Sequence, residues 1–196
     1  MPGAPVLQNA WVTPGIVGAV NFGGGPDGQI YAAALSWAPA SSRFQLSGGL
    51  GSRSLTGSGS RGVYGVRLAI PFGAGASSNL GFAIFGGAGG GSGGASNAAD
   101  SSVSTSQVPL GAAVGWRRAL GATHGVSIYA SPSYVLYSGG SKSGGLVRGA
   151  VAADAGVTPS LGVTLGLDFG QTRPRAVGGP SGTLFGVGVA YAFGRR

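Results

Sequence analysis

Few side chains in this sequence could do acid–base chemistry. Its 196 residues include one histidine, four aspartates, no glutamate and no cysteine. A general acid–base pair needs two titratable groups within reach of each other. Asp27 stands in GGGPDG and Asp100 in SNAADSS, each without a second carboxylate or a histidine beside it. His124 follows Ala122-Thr123 in a short connection. A serine nucleophile needs a base, and a metal site needs several ligands together. His124 therefore reads as an exposed turn residue, and the chain as a non-enzyme with no metal. The glycine run Gly87–Gly94 lacks the Lys-Ser/Thr that closes a phosphate loop, and no helix follows it. It reads as a flexible loop, so no cofactor is expected.

The remaining charges are mostly arginine. Eleven arginines and one lysine against four aspartates give a net charge of +8. They are scattered singly or in pairs, with no basic helix and no arginine-rich run, so the footprint of a nucleic-acid binder is missing. An acidic lipid surface such as lipopolysaccharide suits such scattered cations better. Glycine contributes 43 residues without a three-residue period, which excludes collagen. The chain is 43% hydrophobic and only 8% charged, which argues against simple disorder. No apolar run reaches the roughly 18 residues of a membrane-crossing helix. The start, MPGAPVLQNAW, lacks the basic and apolar regions of a signal peptide. An exported protein would have lost its leader before this numbering begins.

The elements that must position the charges show a period of two. LGVTLGLDFG sets Leu161, Val163, Leu165, Leu167 and Phe169 against Gly162, Thr164, Gly166 and Asp168. GTLFGVGVAYAF sets Phe185, Val187, Val189, Tyr191 and Phe193 against Leu184, Gly186, Gly188, Ala190 and Ala192. One face is bulky and apolar, the other small or polar. That is the strand period, not 3.6. Ten such segments are expected, at about 11–23, 29–38, 43–53, 61–72, 79–88, 106–118, 124–137, 145–157, 160–171 and 182–193. Pro14, Pro109 and Pro132 fall inside three of them, where each removes a ladder donor and calls for a bulge or a shifted end.

Short connections (APASS, GAGASSN, LGATH, TPS) alternate with longer ones. In an up-and-down meander every second turn lies at the same end, so one rim has tight turns and the other has loops. An even count of segments about ten residues long completes the pattern of a transmembrane antiparallel β-barrel, with ten strands or, alternatively, eight. Bulky faces would meet lipid and bare faces the lumen. Aromatics near segment ends, Trp37, Phe72, Trp116 and Phe193 among them, fit an interfacial girdle. The last segment, Gly188-Val189-Ala190-Tyr191-Ala192-Phe193, resembles the C-terminal signal of bacterial outer-membrane β-barrel proteins. The resemblance implies an outer-membrane location and recognition by the barrel-assembly machinery through Gly188, Tyr191 and Phe193. Gly194–Arg196 follow the final aromatic, where many members of the class stop. Ten-stranded barrels of this class include proteases with Asp and His at the loop-side rim. Here the one histidine falls at the other rim.

The expected organisation is an N-terminal periplasmic segment or plug (1–10), one barrel domain (11–193) and a tail (194–196). The alternation turns Arg67, Arg117, Arg148, Asp154 and Asp168 inward, either as a basic constriction or as Arg–Asp pairs in a closed interior. A lumen lined with Gly, Ala and Ser should leave space within ten strands. The expectation is a narrow passive pore or a structural envelope protein, with loop 89–105 or the N-terminal segment as plug. The alternative is a barrel that binds lipopolysaccharide or an envelope protein partner through outer-loop cations Arg53, Arg61, Lys142, Arg173 and Arg175.

Overall fold

A computed structural model describes residues 9–26, 28–41, 43–55, 59–72, 79–92, 104–121, 124–139, 142–171 and 183–193. The strands are β1 (Gly15–Gly25), β2 (Gly28–Ala38), β3 (Gln45–Leu55), β4 (Gly59–Phe72), β5 (Leu80–Ser92) and β6 (Thr105–Ala119). They continue as β7 (Gly125–Ala130), β8 (Ser133–Gly139), β9 (Lys142–Gly156), β10 (Leu161–Gly170) and β11 (Leu184–Phe193). β7 and β8 both lie between β6 and β9 and form one strand interrupted at Ser131-Pro132. Every pairing is antiparallel between neighbours in sequence, and β11 returns to β1. The result is a closed, up-and-down barrel of ten strands. Closure leaves no edge with unpaired backbone groups. Among the described residues there are no helices.

The prolines are handled as their chemistry requires. Pro132 has no N–H, but its carbonyl accepts from the Ala112 amide at 3.1 Å, and Ser131 and Ala150 exchange bonds at 2.8 and 3.2 Å across the break. At Pro109 the β5–β6 ladder skips two pairs, running from Gly86↔Leu110 to Gly89↔Gln107. Pro14 precedes Gly15, whose φ of 92° is open to glycine at little cost. Together they end the ladder, so the first strand begins at Gly15, not at the expected residue 11.

The two faces divide as the period predicts. Leu35, Leu50, Val66, Ile84, Leu165 and Phe185 point outward and are exposed. Among the described residues, outward strand positions carry one charge, Arg118, at the tight-turn end of β6. An arginine or lysine on a lipid face costs roughly 2–4 kcal/mol near the midplane and much less at the rim, so this distribution is that of a wall in hydrocarbon. Aromatic pairs sit towards the strand ends: Phe72 stacks on Phe82, with Trp37–Phe44 and Tyr191–Phe193 edge to face. Phe22–Tyr31 does the same near the loop rim. The tight turns close with few bonds. Thr158 Oγ1 accepts from the Leu161 amide at 3.0 Å, and the Leu120 amide donates to the His124 carbonyl at 2.9 Å.

Candidate functional site

The lumen and its tight-turn mouth gather most of the described charge. Asp154 lies two residues from the tight-turn end of β9. Its direct neighbours across the ladders are Thr164 on β10 and Ser127 on β7. Thr164 donates to Oδ1 at 2.7 Å, the Tyr129 hydroxyl to Oδ1 at 3.2 Å, and Ser127 to Oδ2 at 3.5 Å. The fourth donor is Asn9, whose Nδ2 reaches Oδ2 at 2.6 Å and Ser127 Oγ at 2.9 Å. A half-buried carboxylate is stabilised by this kind of solvation, and a bond to a charged partner is worth about 1.5–3 kcal/mol.

Asn9 belongs to residues 9–14, which lie inside the tight-turn mouth before β1; residues 1–8 of the expected N-terminal segment lie outside the described residues. Its side-chain carbonyl accepts from the Trp11 amide at 3.1 Å and folds the segment back. Ala10 is fully buried against Ala83 and Ala113. The Trp11 ring lies on Gly81 and Gly115, where an added Cβ would come within 2.7 and 2.8 Å of the indole. Arg117 covers the ring with its guanidinium carbon 4.9 Å from the centroid. The strap Asn9–Trp11 thus has a fitted seat. Its residues have no period, and Trp11 reads in sequence as the first residue of a strand. The hydrogen-bonding partner of Asn9, 145 positions away, gives no local signal.

Further along the barrel, Arg67 lies over the Phe85 ring at 5.4 Å. In the loop-side half, Arg148 and Asp168 form a buried pair. Arg148 Nε and Nη2 meet Asp168 Oδ1 at 2.8 and 2.7 Å, and Nη1 donates to the Gln171 carbonyl at 2.8 Å. Ile30, Arg53, Gln107, Leu146 and Leu184 are also buried there.

Of the expected lumen residues, Arg67, Arg148, Asp154 and Asp168 all turn inward, and Arg117 faces the tight-turn mouth. They do not form one basic ring. Arg148 is neutralised by Asp168, while Arg67 and Arg117 lie on separate aromatic faces. Two of the expected outer-loop cations are placed differently. Arg53 and Arg61 oppose each other on β3 and β4 and turn inward, because the ladder runs on to Leu55↔Gly59. Lys142 begins β9 and is exposed at the loop rim, while Arg173 and Arg175 lie outside the described residues. Of loop 89–105, residues 89–92 and 105 belong to β5 and β6, and 93–103 lie outside the described residues. So do Asp27, Asp100 and Gly194–Arg196. His124 is exposed in the β6–β7 turn. Gly188 faces inward against Asn21, while Tyr191 and Phe193 point outward.

Two spaces remain inside. One, of about 270 Å³, is a polar chamber bordered by Asn21, Ser36, Gln45, Ser47 and Arg67. The other, of about 950 Å³, opens at the tight-turn mouth beside Arg117, His124 and Ser160. Asn9, Trp11 and Thr13 border both. A third hollow, of about 1140 Å³, lies on the outer wall over Gly18 and Gly48 between Leu35, Tyr64 and Phe193. It is apolar and faces outward.

No family model matches the chain, and no curated protein matches it in sequence. Among solved structures the chain is similar to the beta domain of the Bordetella autotransporter BrkA, at 16% identity and a TM-score of 0.46. The match covers 92% of this chain and all of that one.

Proposed function

We propose that this closed ten-stranded barrel is a small structural protein of the bacterial outer membrane whose lumen is sealed at rest. One observation carries the reading: chain and side chains occupy the interior at two heights. Asn9–Trp11 cross it near the tight turns, and the Arg148–Asp168 pair with Arg53 and Gln107 fills it near the loops. A permanently open pore needs a continuous wet path, and two such layers argue against one. The apolar outer wall supports the membrane setting, and the final strand, with Gly188, Tyr191 and Phe193, supports recognition by the barrel-assembly machinery. Outer-membrane lipid and lipopolysaccharide are its natural surroundings. A protein partner at the loops finds less support, since two of the proposed loop cations are turned inward.

Single-channel recording in planar bilayers under a salt gradient tests this. Folded protein should be silent or show only rare, brief openings. Steady discrete conductance would refute the sealed lumen and return the inward arginines to the role of an anion-favouring constriction.

A further inference from the structure

Three features of the strap stand out together. It lies between the inner chamber and the mouth and borders both. Its seat is shaped for it, by two glycines under the indole and a carboxylate under Asn9. Yet the seat does not depend on it. Without Asn9, Asp154 keeps three donors, from Ser127, Tyr129 and Thr164. The indole Nε1 is buried in the seat with no acceptor, so withdrawal would let it meet water. Burying an unpaired N–H opposes seating, whereas packing and the Asn9 bond favour it.

From this balance we infer that Asn9–Trp11 is a removable stopper. Seated, it shuts the inner chamber off from the tight-turn mouth. Withdrawn, it admits small polar solutes to a chamber lined by Asn21, Ser36, Gln45, Ser47 and Arg67. This rests on the sealed-barrel reading and adds the element that controls access to the interior. The layer at Arg148–Asp168 stays in place, so the stopper governs entry from one side and need not open a through-path.

The chain has no cysteine, so one introduced thiol can report on the chamber. Ser47 borders it, and its hydroxyl makes only a 3.5 Å contact with the Arg67 carbonyl. In Ser47→Cys protein refolded in detergent, the probe is the rate of modification by a small anionic methanethiosulfonate. With the strap seated, labelling should be at least tenfold slower than in Ala40→Cys protein, where the thiol sits in an exposed turn. Adding Asn9→Ala and Trp11→Ala to Ser47→Cys should raise the chamber labelling rate at least tenfold. Gly81→Ala leaves the strap sequence intact but puts a methyl under the indole, and should raise the rate by a smaller factor. Heat-dependent mobility on a denaturing gel checks folding, and Gly81→Ala keeps the test alive if the strap variant fails to fold. Equal chamber labelling with and without the strap side chains, in folded protein, would overturn the stopper. So would a seated-strap rate in Ser47→Cys equal to that in Ala40→Cys. Bilayer recordings keep the two readings apart. Steady wild-type conductance with strap-dependent labelling would refute the sealed lumen and leave the stopper standing, whereas strap-independent labelling removes the stopper even from a silent barrel.

Discussion

Asp168→Ala is the perturbation whose size the structure defines best. Asp168 is 3% exposed and Arg148 4%. The carboxylate takes two guanidinium contacts of 2.7–2.8 Å on one oxygen. Truncation leaves a buried cation with the Gln171 carbonyl among its remaining partners. Breaking a buried pair from one side typically costs about 3–5 kcal/mol. The retained Gln171 bond argues for the lower end, about 3 kcal/mol, or roughly a hundredfold in the folded-to-unfolded ratio. The assay is equilibrium urea unfolding from lipid vesicles, followed by tryptophan fluorescence. Replacing both partners by apolar residues of similar size, Arg148→Met with Asp168→Leu, should return most of the loss, because no charge is then stranded. A single-variant cost under about 1 kcal/mol would mean that water reaches the pair and the loop-side half is not sealed. A double variant as unstable as the single would show that shape, not charge, is what the pair provides. Either result refutes the reasoning.

Two further outcomes follow from the same geometry. Leu35→Arg places a charge on the outer wall, where no described mid-strand position has one, and should cost about 2–4 kcal/mol in the same unfolding experiment. A cost below about 0.5 kcal/mol would mean that this wall is not in hydrocarbon. Phe193→Ala removes an outward ring that packs edge to face on Tyr191 at 5.2 Å. It should slow assembly by the barrel machinery severalfold in reconstituted membranes while barely changing the rate of spontaneous refolding in detergent. Equal slowing in both would assign the ring to packing and not to recognition.

What could be read from the residues, and what could not, has a physical basis. A strand in a closed barrel has two environments, and they repeat every second residue. Each ten-residue segment therefore states its own facing. The inward phase of Arg67, Arg148, Asp154 and Asp168 follows from keeping charge out of lipid, and no fold needs to be known. Strand ends are less legible, because the ladder can continue past the last bulky residue. Arg53 ends the expected segment 43–53 and reads as an outer-loop cation, yet the register carries the strand on to Leu55↔Gly59 and turns Arg53 inward. The strap is the least legible part. Asn9, Ala10 and Trp11 belong to no repeating element. What fixes them is distant in sequence: Gly81, Gly115, Ser127 and Asp154 come together across the neighbouring strands β5, β6, β7 and β9. This stretch of sheet also explains why a segment with so little intrinsic structure can be held at all. The ladder already positions Asp154 between Ser127 and Thr164 and clears space over two glycines, so only the strap must be ordered when it binds. A seat prepared before its occupant arrives makes the strap's ordering a local event, separable from folding of the barrel. That separability lets a short strap withdraw while the ten strands remain closed.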